Sequence, residues 1–314
     1  MPSSSRVFWR LCRFLLPLLL LWAVLEIGMS RVPNIFSVKR ARCQALAPEI
    51  DTIVLGSSNA FNGINPAGLS GSAFNLAVPS QSHFYDDRIG RMEMACLPHL
   101  RRIIVPVSYV SLFWQLHESP EEWRQYYYRQ EWGIPPLRPG DRWNLKNWSR
   151  VALASPETAF NNLCKGFRKS RAAEVDPRGW NASLPAGPGN ALTLEAVKQH
   201  LASHNALAFQ ANFAPNLGYL RALITEAQAR HIEVVLITLP VWDGYRAQVG
   251  PALWNQTRAT LEGLSAQYGI RYLDFFQEPR LGAGAFLDGD HLNATGAAQF
   301  TRILDDALNS RNSR

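Results

Sequence analysis

Five short apolar runs constrain the fold of this chain more than any other feature. They lie at 50–55, 73–77, 102–107, 233–239 and 271–275. At the centre of the third stand Ile103, Ile104 and Val105. Short β-branched runs of this kind suit strands buried on both faces, as in a parallel sheet. Stretches with apolar residues at helical spacing separate them, at 81–94, 216–231 and 251–268, and another follows at 295–308. In the last, Phe300, Ile303, Leu304 and Leu308 fall on one face. Strands alternating with helices imply right-handed crossovers and an α/β fold with a five-stranded parallel sheet.

With 314 residues, 47% of them apolar, the chain can fill one large α/β domain or two small ones. The alternation fails between about 113 and 206, where no strand is evident. The first half of this stretch is crowded with Trp114, Trp123, Tyr126, Tyr127, Tyr128, Trp132, Trp143 and Trp148. Pro135, Pro136, Pro139 and the Gly-Pro-Gly at 187–189 punctuate it. The expectation is an inserted helical cap with long loops. Its aromatics, Trp123 and Trp132 foremost, either line a groove for an extended sugar or pack the cap onto the sheet.

The N-terminus carries Arg6, Arg10 and Arg13, then an apolar stretch from Phe14 to Ile27 broken only by Glu26. Counted from Leu11 to Met29 it can cross a bilayer, which takes about 20 apolar residues. Arginines before it predict a cytoplasmic N-terminus and an exported remainder. A cleaved signal peptide is the rival, but Gly28-Met29-Ser30-Arg31 is a poor small-x-small cleavage site. The predicted organisation is an anchor over 1–30, a linker over 31–49 and the α/β domain over 50–310, with the insertion at about 113–206. In a bacterium this anchors the chain in the inner membrane by a single pass, with the domain in the periplasm or outside.

The formal charge is +7, part of it the three topology-setting arginines. Lys39, Arg40 and Arg42 follow the anchor, where they would meet anionic headgroups or acidic glycans, or form a solvated face. Nothing resembles a nucleic-acid module. Of the four cysteines, Cys12 is in the anchor and Cys164 reads as a lone buried thiol. Cys43 precedes the first strand and Cys96 the third, so export would allow a Cys43–Cys96 disulfide. With no CxxC and no histidine cluster evident, no metal or other cofactor is expected.

In open α/β sheets, sites form at the carboxyl ends of the strands. Ser57 and Ser58 follow the first run, Ser80 and Gln81 the second, and Ser108 and Tyr109 the third. Residues 240–245, including Tyr245, follow the fourth, and Asp288 and His291 follow the fifth. Serine is a poor nucleophile at neutral pH. It needs a base within hydrogen-bond reach and a third group to orient that base. A nucleotide-binding role for Gly56-Ser57-Ser58 fails for want of a glycine-rich loop.

Gly56-Ser57-Ser58-Asn59 resembles the first block of the SGNH/GDSL hydrolase superfamily. Asp288-x-x-His291 with Leu292-Asn293 and Gly296-Ala297 is similar to its last block. The resemblance covers about 50–110 and 215–308, and is greatest to the membrane-anchored branch of DltD-like and alginate O-acetylation-type proteins. It implies a flavodoxin-like three-layer sandwich. It implies Ser58 as nucleophile, His291 as general base and Asp288 as the residue that orients it. Ser57 is then a turn residue whose side chain caps the next helix. Asp290 is the rival of Asp288, or points to solvent or caps the last helix.

The family's oxyanion hole uses a second-block glycine and a third-block asparagine, and both are absent here. The remaining donors are the Ser58 amide, the backbone of Ser80 or Ala77, and the Ser108 hydroxyl, with Asn59 either a further donor or a stabiliser of the turn. Asn59, Tyr109, Trp123, Trp132 and Tyr245 are the substrate-binding candidates. The activity implied is that of a serine esterase or O-acyltransferase on acyl, chiefly acetyl, esters of cell-surface polysaccharide. A membrane acyltransferase is an expected partner. The alternative is a non-catalytic protein that binds glycan or such a partner.

Overall fold

The computed structural model describes residues 4–167, 174–189 and 192–310. In chain order the first elements are α1 (Ser4–Ser30), α2 (Ile35–Ala45), β1 (Thr52–Val54), α3 (Ser58–Gly63), β2 (Ala73–Asn75), α4 (His83–Cys96) and β3 (Arg102–Pro106). Four helices follow: α5 (Arg124–Trp132), α6 (Arg150–Leu153), α7 (Pro156–Cys164) and α8 (Leu194–Ala206). The chain ends with α9 (Phe213–Ala229), β4 (Glu233–Thr238), α10 (Asp243–Arg246), α11 (Pro251–Tyr268), β5 (Arg271–Asp274) and α12 (Ala294–Asn309). Two compact units result: Met1–Ser37 with Trp123–Ala172, and Val38–Glu122 with Ala173–Arg314.

The larger unit holds a five-stranded, all-parallel sheet in the order β2-β1-β3-β4-β5, the flavodoxin-like order. Its central strands are apolar along their length because both faces are covered. Ile53 pairs with Ile103, and Ile103 with Val234, all of them buried. The chain passes from β1 outward to β2, then returns to lay β3 on the other side of β1. That reversal opens a crevice at the carboxyl ends of β1 and β3, where Ser57-Ser58 and Ser108 emerge. Gly56 makes the turn possible. Its φ is +106°, and an added Cβ would lie 3.3 Å from the Pro106 ring.

Three sequence expectations change. Residues 31–49 are not an open linker, since α2 occupies much of them and buries Lys39 and Cys43. The Lys39 amine donates to the carbonyls of Asn75 and Ala77 and stands 4.2 Å from the centre of the Phe61 ring. Burial pushes its pKa well below the usual lysine value, against the pull of the Asp176 charge. Cys43 and Cys96 are both free, so the expected disulfide is not formed. The Cys43 thiol instead faces Glu93 at 3.6 Å, and burial together with the Glu93 charge raises its pKa. Finally, the insertion is not one body. Residues 113–122, 174–189 and 192–206 group with the sheet, where α8 buries Val197 and Leu201 among Tyr109, Val241, Tyr245 and Phe276.

In the smaller unit α1 is long and apolar enough to cross a membrane. Its one acidic side chain has a structural use. Glu26 accepts hydrogen bonds from the Ser149 hydroxyl at 2.6 Å and the Arg150 amide at 2.6 Å, at the start of α6. Most of the cap aromatics pack within this unit. Phe36 stacks on Tyr127 and meets Tyr128 edge-on, and Trp132 is buried. Trp123 is partly exposed, edge-on to Tyr127 and beneath the Arg124 guanidinium.

Candidate active site

Ser58 is the first residue of α3, directly after the Gly56–Ser57 turn. His291 and Asp288 lie on the loop before α12, which is closed by a bridge between Phe286 and Leu292. Asn293 fixes the end of that loop. Its Oδ1 caps α12 by accepting from the Gly296 amide at 2.9 Å, and its Nδ2 donates to the Gly284 carbonyl at 2.7 Å. The fold brings the three residues together. His291 Nε2 is 2.7 Å from Ser58 Oγ, and His291 Nδ1 is 2.9 and 3.0 Å from the two oxygens of Asp288. Asp288 Oδ1 also accepts the amides of Asp290 and His291, so it holds both the ring and the loop that carries it. A hydroxyl, an imidazole and a carboxylate in this order can move a proton off the hydroxyl and stabilise the resulting imidazolium.

Asp290 does not point to solvent, and Asn293 takes the capping role in its place. Asp290 is buried, with Oδ1 3.2 Å from His291 Nδ1 and 3.0 Å from His200 Nε2 on α8. Two carboxylates thus face one imidazole. Burial alone would lower the His291 pKa, but the charges of Asp290 and Asp288 outweigh it and carry the pKa well above the usual histidine value. The same attraction overcomes burial at Asp290 and holds its pKa well below the usual carboxylate range.

The other candidates divide. Asn59 is committed, its side-chain amide donating to the Asp290 carbonyl at 2.8 Å, which ties α3 to the histidine loop. Ser57 occupies the cap position of α3 but makes no side-chain cap bond. The Ala77 amide donates to Asn75 Oδ1 at 2.9 Å and is spent. Ser80 has a left-handed backbone, φ +62°, and its hydroxyl bonds Glu121. The Ser108 amide is taken by Ser111 Oγ at 3.1 Å, while its side chain lines the site. Ser58, Ser80, Ser108, Tyr109, Trp114, His204 and Asp290 border an outer cavity. Tyr109 and Tyr245 border an inner one, walled by Pro106, Leu239, Val241 and Phe276. Burial raises both phenols, Tyr109 to about 12, and keeps them protonated. Trp123 and Trp132 belong to the smaller unit.

Sequence reasoning missed a second buried chain. Asp86, on the first turn of α4, accepts the Gly56 amide at 2.8 Å and the Gln81 side-chain amide at 2.7 Å on one oxygen. Its other oxygen is 3.0 Å from His83 Nδ1, and His83 Nε2 is 3.1 Å from Ser111 Oγ. Ser111 Oγ in turn donates to the Ser108 carbonyl at 3.1 Å. This chain links the turn after β1 to the turn after β3. The one signal for it was a cluster of polar residues, 81–87, at the start of a helix that must pack on a sheet.

No protein-family model and no curated protein matches the chain. Among solved structures, the chain is similar to a candidate acylhydrolase from Bacteroides fragilis, at 12% identity and a TM-score of 0.42, with 86% of this chain and 93% of that one covered. It is similar too to a GDSL-like lipase from Bacteroides thetaiotaomicron, at 10% identity and a TM-score of 0.42, with 88% and 98% covered.

Proposed function

We propose that this chain is a serine enzyme of the SGNH type, an esterase or O-acyltransferase that passes an acyl group through Ser58. The observation that carries the reading is the 2.7 Å contact between Ser58 Oγ and His291 Nε2, with Asp288 bonded behind the ring. Ser58 Oγ attacks the ester carbonyl carbon while His291 Nε2 takes its proton. The tetrahedral oxyanion forms near the Ser58 amide, one of the unpaired donors of a helix start. The Ser80 amide and the Ser108 hydroxyl are the further donors. Collapse breaks the carbon–oxygen bond to the leaving alcohol, which receives the proton from His291. Water or a sugar hydroxyl then takes the acyl group from Ser58, with His291 as base again.

The apolar helix α1, preceded by arginines, supports a single-pass anchor in a bacterial inner membrane with the α/β unit outside the cytoplasm. An acyl ester of a cell-surface polysaccharide, chiefly an acetyl ester, is the substrate proposed for an enzyme so placed. A membrane acyltransferase is its proposed partner. An active-site fluorophosphonate tests the central step. It is expected to add once per chain, on Ser58, as located by peptide mass. An adduct on Ser57 would overturn the assignment. No adduct, with cellular function retained in Ser58→Ala, would favour the glycan- or partner-binding alternative.

The charge pattern predicts the pH profile. Only neutral imidazole can accept the serine proton, and Asp290 and Asp288 hold the imidazolium to a higher pH than usual. Aryl-ester turnover, measured with a chelator present, is therefore expected to rise with pH through an apparent pKa above the usual ~6.5. A limb at or below that value would contradict the two-carboxylate arrangement.

A further inference from the structure

Beside the Ser58–His291 pair lie three side chains of which the acyl-serine step uses none directly. His200 and His204 are one helical turn apart on α8, so their imidazoles leave the same face, with ring centroids 4.1 Å apart. The orientation of that face is set by Val197 and Leu201, buried beneath it in the cluster with Tyr109, Val241, Tyr245 and Phe276. The third side chain is Asp290. One ligand atom from each of His200, His204 and Asp290 lies within 4.8 Å of the other two.

Bonding within this group is incomplete. Asp290 Oδ1 is 3.0 Å from His200 Nε2 and 3.2 Å from His291 Nδ1. Both are ion pairs, and both Asp290 Oδ1 and His200 Nε2 are shut off from solvent with no well-formed hydrogen bond. Asp290 is only 6% exposed. A carboxylate oxygen buried without a hydrogen bond is costly, and native proteins seldom leave one so. Two ligand atoms 3.0 Å apart are close enough to share a cation between them.

We propose that His200, His204 and Asp290 form a binding site for a divalent first-row cation of the zinc class. Two imidazoles and one carboxylate suit zinc and its neighbours, whereas magnesium and calcium favour oxygen donors throughout. Three protein ligands leave a coordination position for water or substrate. His204, Asp290 and Ser58 border one cavity, so that position adjoins the space of the acyl ester. A cation there polarises an oxygen of the bound ester, supplying positive charge in a site that lacks an asparagine donor.

The test reads metal directly and does not depend on esterase activity. The full chain, purified in detergent through a histidine-free tag and stripped with EDTA, is titrated with Co²⁺ and followed by visible absorption. One Co²⁺ per chain is expected, displaced by Zn²⁺. His200→Ala and His204→Ala should each weaken binding by about 100-fold or more, the upper range for losing even an outer-shell partner. Ser58→Ala should bind as the parent does, so failure of the catalytic reading leaves this result intact. Circular dichroism checks that each variant is folded. Should an alanine variant unfold, His200→Gln and His204→Gln carry the same measurement. Absence of Co²⁺ absorption in the parent chain, or unchanged affinity in the folded histidine variants, would overturn the proposal.

Discussion

Ser58→Ala and His291→Ala are each expected to lower aryl-ester turnover by about 10⁴-fold or more, and the double variant is expected to lose little beyond either one. The reason is geometric. The 2.7 Å contact gives the serine proton one acceptor, and that acceptor has no other proton to collect in the first step. Once either partner is gone the unit has no function left to lose. Asp288→Asn should retain more activity than either, because Asp290 Oδ1 stands 3.2 Å from the same ring nitrogen and can hold the imidazolium. It should not be silent, since Asp288 also accepts two loop amides. Removing both carboxylates should cost far more than the sum of the single losses. Losses that simply add, in free energy, between Ser58→Ala and His291→Ala would mean that the two residues act separately, and the acyl-serine scheme would fall.

The parts of this arrangement that were legible in the sequence are those written by local chemistry. Five short apolar runs gave five strands because a strand covered on both faces must be apolar along its length. Each polar residue that follows a run falls at the same edge of the sheet, so the sequence alone groups Ser58 with the Asp288–His291 pair. The rest depended on contacts between residues far apart in the chain. Asp290 read as a solvent or capping residue because nothing near it in sequence marks His200 as its neighbour or Asn293 as the cap actually used. Lys39 read as a headgroup or solvated charge, yet its amine ends among backbone carbonyls after β2. The Ala77 amide, an oxyanion donor on sequence grounds, is instead taken by the Asn75 side chain. The cap aromatics kept two readings open because aromatic composition does not distinguish a groove from a core. Burial of Trp132 decides for packing at that position.

Asp86→Ala is expected to destabilise the chain by about 3 kcal/mol or more, a larger effect than any surface change would give. Asp86 is 1% exposed and holds three donors or partners at once: the Gly56 amide, the Gln81 amide and the His83 ring. Alanine removes both acceptor oxygens and leaves these groups buried, and each buried group without a partner costs about 1–3 kcal/mol. The Gly56 amide matters most for function. It belongs to the left-handed turn that delivers Ser58, and its hydrogen bond to α4 fixes that turn against the sheet edge. Asp86→Asn keeps the volume and one acceptor, so it should fold, but it offers an NH₂ to a partner that also needs an acceptor. The expected pattern is a lowered melting temperature in both variants, greater in alanine. Where Asp86→Asn remains folded, turnover should fall, because the displaced atoms are those of the turn that delivers the nucleophile. A melting temperature within about 2 °C of the parent for Asp86→Ala, less than a 1 kcal/mol change would produce, would show that the buried chain from Gly56 to Ser111 does not bear on stability.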